Sequence, residues 1–390
     1  MNRFIKAPIC LLIMLPSWSF ASELKSYENL GSRHSEHAGI GEFSNGDDDT
    51  GHWAVDKLRK IALYHPIDKS HISFAKSDLP VMLNRLTAML RELSCKVNYR
   101  EDSLSASCIT MEQINFHISF YISREDPESI ILELQRRAGD SLTYNCYYAR
   151  PILDLVNLEA RDDVEQADNL HGYRQAKDSE LIVLIDRLIL LDDKGSRKND
   201  IDVAMEIASN LVLNDRHDAI QLGLESFETL TNPSKTGLDV AQKIVRTLLR
   251  AQDERAGKVV KKMLGFLIDE DDSNEFRFQA LKVWVNTWNA AANDLEKPLS
   301  SIPKTLETFG EGISTLNDLV VLLMQNVKGA NTDPHLASLS LKGIYTLSME
   351  FPILRSSIEW QAVEEAYQIG LRENVVLLAA ASNCMQLITN

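Results

Sequence analysis

The chain has 390 residues, 44% of them apolar and 25% charged, which suits a water-soluble protein with a real core and one to three domains. Its 41 basic and 56 acidic side chains leave a net charge of −15. That balance argues against a nucleic-acid binder, whose affinity comes from Lys and Arg neutralising phosphates, and against non-specific adhesion to anionic membranes.

The first residues carry the clearest local signal. Arg3 and Lys6 precede a short apolar run, Ala7–Leu15, and Ser19-Phe20-Ala21 places small residues at the −3 and −1 positions of a cleavage site. This is the layout of a secretory signal peptide spanning 1–21, and the run is too short to cross a bilayer. Cleavage after Ala21 would make the protein extracytoplasmic; without it, the expectation is a cytoplasmic chain. Residues 22–52 are polar and read as a flexible arm. Its acidic end, Asn45-Gly46-Asp47-Asp48-Asp49, fails as a calcium loop, because the sixth position is Thr50 and the twelfth Asp56.

A small α+β module is expected over 53–158. Val55–Leu63 and Leu79–Leu93 have helical spacing. The period then changes to two: Ile114, Phe116, Ile118, Phe120 and Ile122 alternate with Asn115, His117, Ser119 and Tyr121, which marks a half-buried strand. Cys95–Arg100 and Ser103–Met111 read as a hairpin about Glu101-Asp102. In that register Cys95 faces Cys108, the candidate disulfide pair. Ser129–Gln135 reads as a further strand.

The segment Glu133-Leu134-Gln135-Arg136-Arg137-Ala138-Gly139-Asp140, following a helix and several strands, resembles the kinase-associated-1 type of module across Leu79–Leu158. The resemblance implies a docking or anionic-lipid surface with Arg136 and Arg137 in that role. The alternative is that both arginines simply keep an exposed strand end soluble.

Residues 159–177 form a charged connector. From 178 to 390 the chain is helical in period. Leu181, Leu184, Ile185, Leu188 and Leu191 make a first apolar stripe. Others follow in Val203–Leu213, Ala219–Leu230, Leu238–Leu249, Val259–Ile268, Phe276–Ala292, Ile313–Val327, Leu336–Met349, Ile358–Leu371 and Val375–Ile388. Breaks at Asn232-Pro233, Asp271-Asp272-Ser273, Lys297-Pro298, Asp333-Pro334 and Phe351-Pro352 separate them. Ile220-Gln221-Leu222, with Leu230 and Pro233, recurs as Leu339-Ser340-Leu341 with Met349 and Pro352, an offset close to three units of about 40 residues.

This half resembles armadillo and HEAT helical-repeat proteins. The expected fold is therefore mostly α: an α-solenoid preceded by a small α+β domain with an antiparallel sheet. The resemblance implies a non-enzymatic scaffold for a protein or peptide partner. Armadillo proteins that hold extended peptides use a Trp-x-x-x-Asn pair, whereas here Trp284 is followed four residues later by Trp288. Those two tryptophans are the leading recognition candidates, although 281, 284, 288, 292 and 295 also form the single stripe of an inter-helix core.

Chemistry is sparse. Ser73-x-x-Lys76, Ser301-x-x-Lys304 and Lys235-Thr236-Gly237 imitate elements of penicillin-binding serine hydrolases, a less favoured reading because no Ser-Asp-Asn exists and Pro303 spoils the second motif. The nine histidines contain no i, i+4 metal pair and the cysteines no CxxC, so neither a metal nor a cofactor is expected.

Overall fold

The computed structural model describes residues 53–157 and 197–389, apart from 69, 252, 269–273, 293, 295, 297 and 311. The signal-peptide segment, the arm to residue 52, the connector 159–177 and the Leu181–Leu191 stripe lie outside the described residues. The molecule is mostly helical, with an antiparallel sheet in its N-terminal half.

The N-terminal module holds strands β1 (Arg59–Lys60), β2 (His71–Ala75), β3 (Lys96–Tyr99), β4 (Ser105–Ile109), β5 (Asn115–Ile122) and β6 (Ser129–Ala138), and helices α1 (Leu79–Glu92) and α2 (Arg150–Asn157). The sheet order is β2-β6-β5-β4-β3, and β1 runs parallel to the end of β5. The alternation in β5 decides which side is covered. Phe116, Ile118 and Phe120 are buried with Leu83, Leu86 and Leu90 of α1, with Tyr148 of the helical segment Tyr144–Ala149, and with Ile152 of α2. Trp53 joins this core, its Nε1 donating to Thr87 Oγ1 at 3.0 Å while its ring meets Tyr99 and Phe120 edge-on.

Two local expectations change. The helix expected over Val55–Leu63 is only a 3-10 turn, Val55–Lys57, followed by β1. Pairing with the free edge of β5 wins there, and Ile61 N donates to Ile122 O at 3.1 Å. The hairpin register also differs. Val97, not Cys95, stands opposite Cys108, because the loop is longer than two residues: Tyr99 pairs with Ala106 and Leu104 inserts into the core. Cys95 and Cys108 are accordingly buried free thiols, two places apart in register. Burial pushes both well above the ordinary thiol value.

The C-terminal half contains α3 (Arg197–Val212), α4 (His217–Thr231), α5 (Leu238–Arg250), α6 (Glu254–Ile268), α7 (Asn274–Ala292), α8 (Ile302–Phe309), α9 (Leu316–Lys328), α10 (Pro334–Glu350), α11 (Trp360–Glu373) and α12 (Val375–Thr389). The apolar stripes foretell nine of these, and α8, only eight residues long, falls between them. Starts follow capping chemistry: the Asp333 side chain accepts from Leu336 N, with Pro334 in the first turn, and Thr315 with Asp318 forms a capping box for α9. Helix α4 packs on α7, α7 on α10 and α10 on α12, so four helices lie side by side. Helices α3, α6, α9 and α11 pack along them, and one continuous apolar core joins both sets. Close approach in this core requires Gly343, where a Cβ would meet the Trp288 ring at 2.7 Å.

The polar contacts between the module and the helices centre on Ser94. Ser94, which ends α1 with φ +52, is fully buried. Its carbonyl accepts from His335 Nε2 at 2.6 Å and from Asn374 Nδ2 at 3.1 Å, and its hydroxyl accepts from Val376 N at 3.0 Å. Met111 of the module is buried in the helical core, and Lys96 lies 3.5 Å from Asp333.

Candidate functional site

The side-by-side helices α4, α7 and α10 present one continuous polar stripe. On α7 it consists of Lys282, Asn286 and Asn289, spaced four and three residues apart, on a stripe beside that of the buried Leu281, Trp284 and Trp288. Lys282 Nζ lies 3.1 Å from Glu228 Oε1 of α4, and Asn286 Nδ2 donates to Glu228 O at 3.3 Å. Towards α10, Thr346 Oγ1 donates to Asn289 Oδ1 at 2.6 Å. Asn289 is exposed and Lys282 and Asn286 half-buried, so amide and ammonium groups reach the surface while remaining braced from both sides.

Glu228 anchors this stripe. Burial would raise its carboxyl, but the Lys282 and Lys235 ammoniums outweigh that and hold it down at about 2. Lys235 Nζ sits 2.9 Å from the same Oε1. The lysine of the Lys-Thr-Gly motif is therefore committed to a buried ion pair. Ser73 lies on β2 and Lys76 in the 3-10 turn after it, so these two do not share a helical turn as the hydrolase mechanism requires. A shallow, open depression lined by Ser300, Pro303, Lys304, Glu307, Ser314 and Thr315 includes Lys304 but not Ser301.

The tryptophan candidates are corrected. Trp284 and Trp288 are 3% and 1% exposed and stack on one another with centroids 6.1 Å apart. They are core, because the stripe they share with Leu281 faces α10 and Gly343 rather than solvent. Lys282, Asn286 and Asn289, a polar stripe at helical spacing around them, are the residues that the sequence pattern alone does not single out. Of the arginine candidates, Arg136 donates through Nη1 to Gly139 O at 2.6 Å, closing the end of β6. Arg137 is exposed beside the β-bulge of that strand.

Among the described residues no cluster of three His, Cys, Asp or Glu side chains is placed to hold a metal ion, and no helix is long and apolar enough to cross a membrane. No protein-family model matches the chain, and no curated protein matches it.

Proposed function

We propose that the protein is an interaction scaffold whose helices form an armadillo- or HEAT-like solenoid, with the polar stripe of α4, α7 and α10 as the surface that holds an extended peptide segment of a partner. The observation that carries this reading is the row Glu228–Lys282–Asn286–Asn289–Thr346, linked across three helices by hydrogen bonds and an ion pair. Carboxamides offer a donor and an acceptor together, the pair that an extended backbone requires. Fixing them through neighbouring helices lowers the ordering cost of binding. The buried tryptophans support the surface from beneath instead of touching the partner.

Peptide display against the full chain tests the reading. Selected peptides should bind the wild type and lose about tenfold or more affinity in an Asn286→Ala/Asn289→Ala variant. Selection of no peptide above background, or peptides indifferent to that variant, would overturn it.

A further inference from the structure

We propose that the open face of the β-sheet binds a phosphate group, held by the Arg100 and Arg137 guanidiniums over His117. The face opposite α1 is polar across its middle, while its far end carries Tyr121, Ile131 and the buried Glu133, which His65 covers. Asn98, Ser107, His117 and Gln135 stand in one row across β3, β4, β5 and β6, and Ser105 pairs with Ser119 in the next. Arg100 continues β3 on the same face, its backbone N donating to Ser105 O at 3.0 Å. Arg137 stands beside the irregularity at Asn115/Phe116, where a bulge re-aims a side chain.

Among the described residues neither guanidinium has an ion pair or hydrogen bond. Several other exposed cations do, among them Arg216 with Asp218, Arg255 with Glu206 and Lys328 with Glu359, while Lys76, Lys304 and Arg372 are without one among the described residues. Two uncommitted arginines on one face of a chain with a net charge of −15 mark a local inversion of its electrostatics. His117 registers them: its proton affinity is lowered by burial, then by Arg137 and by Arg100, with no carboxylate acting on it. Two guanidiniums match the charge of a dianion, and their forks fit phosphate oxygens bidentately. The hydroxyls of Ser107 and Ser119 and the Gln135 amide supply neutral donors for the remaining oxygens, which a two-oxygen carboxylate would leave idle. An anion there offsets both arginines, so His117 takes up a proton as it binds. The phosphate can belong to a soluble monoester or to a phosphorylated lipid headgroup. The site is separate from the helical stripe, so it stands or falls independently of the scaffold reading.

The test is a pH titration of the histidine ring signals of the full chain by NMR, with His117 identified through H117Q. Inorganic phosphate should raise the His117 pKa relative to sodium chloride of equal ionic strength. R100Q and R137Q should each weaken the response about tenfold, and S107D, which sets a carboxylate beside His117, should abolish it. Phosphatidylcholine vesicles with and without a phosphatidylinositol phosphate separate the sources. Co-sedimentation that inorganic phosphate reverses assigns a lipid headgroup; a His117 response without co-sedimentation assigns a soluble phosphate. A His117 signal that ignores phosphate, or responds equally in the R100Q/R137Q double variant, overturns the proposal.

Discussion

His335 Nε2 donates to the Ser94 carbonyl at 2.6 Å, joining two residues 241 positions apart and, with them, the sheet module to the helical half. Because Ser94 also binds Asn374 and Val376, three polar contacts converge on one buried residue. Removing one partner of a buried hydrogen bond costs roughly 1–3 kcal/mol, as the remaining group loses its solvation without compensation. His335→Ala should therefore lower unfolding stability by about 2–3 kcal/mol once the cavity is included, measured by urea denaturation. An unchanged midpoint would show that the junction contributes nothing.

The same histidine sets a pH dependence. Burial lowers its proton affinity below the ordinary 6.5, only partly offset by the Ser94 bond and by Asp333 and Glu112, while Lys96 lowers it further. The unfolded chain therefore protonates His335 first. Its contribution is neutral above pH 6.5, and stability falls as pH drops below 6.5 until the lower folded value is passed. His335→Gln should flatten that part of a stability-against-pH curve, and a parallel curve would contradict the assignment.

Glu228 acts at lower pH. Its folded pKa of about 2 lies below the ordinary 4.5, so its stabilisation is complete above 4.5 and is lost as pH falls towards 2. Glu228→Gln should cost about 2–3 kcal/mol at neutral pH, at or below the range for breaking a buried pair, because Lys235 and Lys282 keep some access to water. It should also remove the slope between pH 4.5 and 2.

Trp288→Ala should cost about 3–5 kcal/mol, the price of an aromatic cavity, and Gly343→Ala should destabilise by about 1–3 kcal/mol by pushing a Cβ against the same ring. Substitutions of tryptophans on a binding surface would instead leave the unfolding midpoint almost unchanged. Thermal denaturation monitored by circular dichroism distinguishes the two.

The thiols give a chemical check of the hairpin register. Among the described cysteines Cys146 is exposed, whereas Cys95, Cys108 and Cys384 are buried. A thiol reagent should label Cys146 in the native protein and the other three only in denaturant. Failure of Cys95 and Cys108 to react after unfolding would mean that they are bonded to each other.

The helices were legible because each hides one apolar stripe, and stripes such as Leu238–Leu249 need only local spacing to be seen. Strand β5 was legible for the same reason at a period of two. What sequence spacing could not supply was partnership. Arg59-Lys60 becomes a strand only because the end of β5 has a free edge, and the hairpin register depends on Leu104 entering a core built by distant residues. Trp284 and Trp288 lie on an apolar stripe that suits either a core or a surface, and Gly343 on another helix decides which. The polar stripe Lys282–Asn286–Asn289 has helical spacing, but its meaning rests on Glu228 and Thr346 from neighbouring helices.

The scaffold reading stands most directly on where a selected peptide sits. Amide hydrogen exchange of the full chain with and without such a peptide should show added protection along 282–289 of α7 and the facing parts of α4 and α10. Protection confined to the sheet module, or none at all, would contradict it.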